Sequence, residues 1–209
     1  LERLTLKASD PVSRELRTLR QRLQQEPQNL ELAVQLATRS IEQGRTEGDP
    51  RFLGQAQAVL SPWWNEPSPP PTVLLVRATI RQNAHEFDQA LADLDQVLAI
   101  QPFNAQAWLT KASILQVQAR YSEARQACQR LTRLAARHIT LACLADLEGL
   151  TGHAAKSQEL LTATLAQSTT SEHERIWILT ILGELAARVG NIQMAQHSYQ
   201  DALRVGVKD

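Results

Sequence analysis

Two cysteines and five histidines are the residues of this chain best suited to grip a metal or attack a carbonyl, and their spacing favours neither. His85, His138, His153, His173 and His197 stand apart. No His-x-x-x-His or Cys-x-x-Cys pair puts two ligands on one helix face or in one turn. Cys128 or Cys143 could act as a nucleophile only where a histidine and a polarising group converge on its thiolate. The chain also carries no Walker loop, no dinucleotide glycine fingerprint and no Gly-x-Ser-x-Gly elbow. The expectation is a protein without catalytic residues, metal or cofactor.

Composition narrows the partners. The 209 residues are 43% hydrophobic, enough for one sizeable core, and the 22 basic and 22 acidic side chains cancel. A protein that binds a phosphate backbone usually shows a basic excess or stripe, so no nucleic-acid partner is expected. Arg14, Arg17, Arg20 and Arg22 cluster near the start, but such intermittent charges are the ordinary pattern of a solvated helix. No apolar run reaches the ~18 residues of a membrane span. No charged-then-apolar leader is present either. The expected state is soluble: cytoplasmic or, because the first residue is Leu1 rather than Met, periplasmic after loss of a signal peptide.

The elements that must position these side chains are helices. Leu91, Leu94, Val97 and Leu98 recur at three- and four-residue steps, as do Leu131 and Leu134 after Ala127, and no strand-period stretch competes. The segments Phe87-Asp88-Gln89-Ala90 and Tyr121-Ser122-Glu123-Ala124 repeat one pattern, aromatic-x-x-Ala, thirty-four residues apart. The first sits in a run from Thr72 through Leu74, Ala78 and Leu94 to Pro102. The second sits in a run from Gln106 through Trp108, Ala112 and Cys128 to Ala136. This spacing resembles the tetratricopeptide repeat, a helix-turn-helix unit of about 34 residues with small residues at its helix crossing. A further match opens at Ile176. Degenerate ones open at His138 and at Leu30, the latter with a turn lengthened by Arg45 to Phe52.

The resemblance implies an all-α fold, a right-handed α-solenoid of antiparallel helix pairs. It divides the chain into a leading helix in 1–29, a degenerate unit with a Pro/Trp loop in 30–70, repeats in 71–104 and 105–137, a degenerate repeat in 138–175 and a repeat in 176–209, one continuous array. In the leading helix, Asp10 reads as N-cap, Pro11 as first helical residue, and Leu16, Leu19 and Leu23 as a stripe that stops at Pro27. Ala78 with Ala90, Ala112 with Ala124, and Gly183 with Ala195 take the close helix crossings. Gly44, Gly152 and Gly190 suit a left-handed turn residue. His85 and Ala119 hold that place in the two best repeats, where the turn must use another conformation or carry strain. Ser61 to Pro71, with five prolines, is expected to be extended rather than helical. Trp63 and Trp64 either plug the gap beside it or form an exposed patch.

The resemblance also implies function: an interaction module whose first helices line a groove for a protein or peptide partner. Carried over position by position, the groove holds Leu75, Thr79, Gln82 and Asn83, then Leu109, Ser113 and Gln116, then Asp146, then Trp177 and Glu184. A carboxylate clamp would need Lys and Asn where Leu75, Thr79, Leu109 and Ser113 stand. An extended or helical segment with its backbone bonded by the amides is the expected ligand. The repeat type and the absent Met suggest a bacterial protein. Cys128 and Cys143 fall on helices that such an array packs side by side, either as two small core hydrophobes or as a disulfide stapling neighbouring repeats. The sequence ends at Asp209, just after a good second helix and without the polar solvating helix that normally closes such arrays, so more repeats are expected to follow. The alternative function is therefore self-association through Ile192, Tyr199 and Leu203, as part of a longer array.

Overall fold

The structure, a computed structural model, describes residues 11–205. Among them are twelve α-helices and no strand. The chain divides after Pro102 into two compact units.

The first unit holds α1 (Pro11–Gln25), α2 (Leu30–Glu47), α3 (Arg51–Val59), α4 (Ser61–Trp64), α5 (Pro71–Asn83) and α6 (Phe87–Ile100). Asn29 starts α2 by accepting the Leu32 backbone N–H at 3.1 Å, one of the donors that a helix start leaves without a partner. Leu16 and Leu19 of α1 close on Leu32 and Leu36 of α2. The other face of α2, with Ala33, Ala37 and Ile41, forms one core with Ala56, Leu60, Trp63, Val73 and Ile80. The expected N-cap Asp10 lies outside the described residues.

Three local expectations change in this unit. Arg45 to Glu47 do not interrupt α2 but extend it, and the left-handed turn residue is Gly48, at φ 65°, rather than Gly44. Gly44 answers a different demand: a Cβ there would stand 2.9 Å from the Phe52 Cβ, so it permits a close approach to α3. Ser61 to Trp64 form a helical turn, because Pro62 sits in the first turn, where its missing N–H has no intrahelical acceptor to lose. The extended stretch follows it and ends at Pro70, whose φ of −55° and ψ of 145° are polyproline-like.

The second unit holds α7 (Ala105–Val117), α8 (Tyr121–Arg130), a 3₁₀ turn (Leu131–Arg133), α9 (Arg137–Leu150), α10 (Ala154–Gln167), α11 (Glu172–Arg188) and α12 (Ile192–Arg204). Helices α7, α9 and α11 alternate with α8, α10 and α12 as antiparallel pairs. A capping box starts α11: Ser171 accepts the Glu174 N–H, and Glu174 returns the bond to the Ser171 N–H at 2.7 Å. That box begins the helix at Glu172, so Glu172 to Arg175 lengthen it. Ala142, Ala145, Leu161, Ile178, Leu182 and Leu185 make the core of α9, α10 and α11.

The crossing residues are buried as the repeat pattern requires: Ala78, Ala90, Ala112 and Ala124 expose no surface. Gly152 and Gly190 take positive φ values of 96° and 78°. In the two best repeats the same turn is built by His85 at φ 59° and Ala119 at φ 57°, so the conformation is kept and the strain is real.

Candidate partner-binding surface

The expected groove residues fall on first helices of both units. On α5, Leu75, Thr79 and Gln82 are half-buried and Asn83 is exposed. Thr79 donates its hydroxyl to the Leu75 carbonyl at 3.1 Å, and Asn83 its amide to the Thr79 carbonyl at 2.7 Å. These polar groups are occupied by their own helix, which leaves Leu75 and Gln82 as the more available side chains. On α7, Ser113 donates likewise to the Leu109 carbonyl at 3.2 Å, with Leu109 half-buried.

The second unit joins its expected residues more closely. Gln116 of α7 donates to the Cys143 carbonyl of α9 at 3.4 Å, tying two first helices together. Asp146 of α9 and Glu184 of α11 are both half-buried. Burial, with the neighbouring Glu184 charge adding to it, pushes the Asp146 carboxyl up to about 6, and the Arg188 guanidinium opposes the shift. Among the described residues neither acid has a hydrogen bond or an ion pair. Trp177 packs its ring against the core of α9 to α11 and keeps part of its surface open. Gly149 permits this closeness, since a Cβ there would stand 2.3 Å from Leu185 Cδ2.

Between the second helix of one repeat and the first of the next, Cys128 and Cys143 are joined in a disulfide, their Cα atoms 5.7 Å apart. It staples α8 to α9.

Sequence reasoning missed a buried charge cluster in the first unit. Arg77 of α5 donates to both carboxylate oxygens of Asp93 on α6, at 3.0 and 2.7 Å, and also to the Trp64 carbonyl. Arg81 reaches the same carboxylate at 2.7 Å. Both guanidinium groups lie within 6 Å of the Trp64 ring, at 5.8 and 5.9 Å. Trp63 is buried in the core and Trp64 is held by this cluster, so the pair anchors the proline loop to the α5–α6 pair. The available signal was the placement of Arg77 and Asp93 among the apolar positions of their helices.

Among the described residues no three His, Cys, Asp or Glu side chains converge to hold a metal ion, and no helix is long and apolar enough to cross a membrane.

No protein-family model and no curated protein matches the chain. Solved structures do. The chain is similar to the one described as the APC/C hetero-tetramer Cut9–Hcn1, at 17% identity and a TM-score of 0.63 over 93% of this chain, and it spans only 35% of that chain's length. It is also similar to pilF of Pseudomonas aeruginosa, at 18% identity and a TM-score of 0.54 over 86% of this chain and 77% of that one. A tetratricopeptide repeat protein from Parabacteroides merdae matches at 15% identity and a TM-score of 0.50, over 95% of this chain and 88% of that one. At these identities the likeness is one of fold: helix pairs of the tetratricopeptide-repeat solenoid.

Proposed function

We propose that the chain is a non-catalytic scaffold that holds an extended or helical segment of a partner protein along its first helices. Such folds commonly mediate protein–protein interaction, and function in them resides in the side chains of the presented surface. The observation that carries the reading is the pair Asp146 and Glu184. Among the described residues these two half-buried carboxylates on neighbouring first helices make no hydrogen bond or ion pair, with the Arg188 charge acting on Asp146 only at a distance, in a unit where Glu148 meets Arg125, Glu174 meets His138 and Asp201 meets Arg204. Burying a charge is unfavourable unless it is paired. A lysine, arginine or run of backbone N–H groups from a partner segment would complete the pair, with Leu109 and Trp177 as apolar flanks. The Cys128–Cys143 disulfide suits an oxidising compartment, such as a bacterial periplasm.

The test is comparative capture from an extract of the source organism, with the native protein beside a folded Leu75→Glu, Leu109→Glu double variant. The reading expects a partner that the native chain retains and the variant loses. Partners retained equally by both would move the interaction off the first helices.

A further inference from the structure

Gly54, Gln57, Ala58 and Ser61 follow one another at the three- and four-residue steps that set side chains on one helix face, and α4 continues from α3 after Leu60 alone. With Trp64 and Asn65 they line a cavity of about 340 Å³ in the first unit, within the size of small-molecule sites. Gly54 leaves it open, since a Cβ there would meet nothing within 4 Å. Its wall is the half-buried Trp64 indole. That ring is held from α5, where the Arg77 and Arg81 guanidinium groups lie 5.8 and 5.9 Å from its centre and are themselves fixed by Asp93. Gln57, Ser61 and Asn65 bring two amides and a hydroxyl, and these side chains make no hydrogen bond among the described residues. Gln55, one turn back on another face of α3, is by contrast engaged by Arg20 at 2.6 Å. None of the six lining residues is charged.

We propose that this cavity is a carbohydrate-binding site, which stacks one pyranose ring on Trp64 and bonds its hydroxyls through Gln57, Ser61 and Asn65. A pyranose presents a face of C–H groups and a rim of hydroxyls that both donate and accept. The indole supplies an apolar plane whose face carries partial negative charge and so attracts those C–H groups. Side-chain amides and a hydroxyl answer a sugar hydroxyl in either sense, as donor or as acceptor. Charged ligands fit the cavity poorly. A phosphate or carboxylate would find no free cation, because Asp93 takes up the Arg77 and Arg81 charges. A cationic group would find no carboxylate and would lie beside two guanidinium groups. The α5–α6 cluster fixes the Trp64 ring before any ligand arrives, so stacking on it costs little ordering. One aromatic plane and three polar side chains make a weak site, with a dissociation constant on the order of 1 mM for a short sugar. The site lies on α3 and α4, apart from the first helices, and does not depend on the scaffold reading.

Calorimetry and saturation-transfer NMR on the full chain test this, with maltotriose, cellotriose and chitotriose as the probes. At least one is expected to bind, its ring C–H protons receiving saturation from the protein's aromatic resonances. Gly54→Leu should weaken that binding about tenfold or more, because the new side chain has room to enter the cavity and fill it. Gln57→Ala should weaken it about threefold or more through the lost amide. Both variants should melt no lower than the native chain, since leucine and alanine favour a helix over the residues they replace. A chain that binds none of the three sugars overturns the proposal. So does a sugar bound equally by the native chain and Gly54→Leu, which would place it elsewhere on the surface. Adenosine, as a fourth probe, bound in preference to all three sugars would also overturn it and assign the indole to a nucleobase.

Discussion

The ring of Tyr199 lies over Gly183, where a Cβ on the glycine would stand 2.5 Å from Tyr199 Cε1. The hole at this helix crossing is therefore filled by the α12 aromatic as well as bordered by Ala195. Gly183→Ala should lower stability by about 1–3 kcal/mol through overpacking. Tyr199→Leu in the same chain should recover part of the loss, as read from thermal melts of a double-mutant cycle at dilute concentration. Equal melting of native and Gly183→Ala would mean that the ring moves aside without cost.

The left-handed turns at His85 and Ala119 carry strain that glycine would remove. Ala119→Gly, at φ 57°, should stabilise the chain by about 1 kcal/mol in urea denaturation. His85→Gly should gain less, because the His85 ring also packs edge-on against Phe87 at 5.5 Å. A lower urea midpoint for Ala119→Gly would contradict the account.

Asp93 answers two guanidinium groups inside the first unit. Its replacement by Ala leaves Arg77 buried without a carboxylate and should cost about 3–5 kcal/mol. Trp64 fluorescence should change in the folded variant, because the loop loses its anchor. Unchanged stability would show that Arg77 reaches water once its partner is gone.

Reduction of the Cys128–Cys143 bond, which spans 15 residues, should lower stability by about 3 kcal/mol on chain-entropy grounds. Denaturation with and without reductant measures it, with Cys128→Ala, Cys143→Ala as the bond-free reference that reductant should not affect. An identical response of the native chain in both conditions would argue that the thiols are not joined.

Asp146, raised to about 6 from a reference of 3.8, binds its proton more tightly when folded. The folded state thus holds more protons than the unfolded one between these values, and stability from this group rises as pH falls from 7 toward 4. Asp146→Asn should remove that slope and stabilise the protein at pH 7 by about 1–2 kcal/mol. The difference between native and variant urea midpoints across this window checks the sign. A difference that is flat, or that grows toward low pH in the variant's favour, would contradict it.

The repeat spacing made the helix pairs readable, because the positions it marks answer to backbone geometry: small residues at the close crossings, and a left-handed turn that Gly152 and Gly190 adopt without strain and His85 and Ala119 with it. It failed where tertiary context overrode local character. Arg77 and Asp93 match no repeat position or motif, and only folding shows that each neutralises the other. Ser61 to Trp64 read as extended because the density of prolines hid the one place where a helix tolerates Pro62. Gly44 was assigned a turn conformation, whereas its purpose is to let Phe52 approach. Asp146 and Glu184 could each be placed on the first helices from sequence. Their effect on each other depends on the close packing that Gly149 allows.

The most direct test of the scaffold reading is site-specific photo-crosslinking in the source extract, with the crosslinking residue at Leu109 of α7 and, in a parallel sample, at Leu160 of α10. A discrete adduct formed from position 109 and lost when Glu184→Gln and Asp146→Asn are combined is the predicted result. An adduct formed equally from position 160, or one from 109 indifferent to both acids, would contradict it.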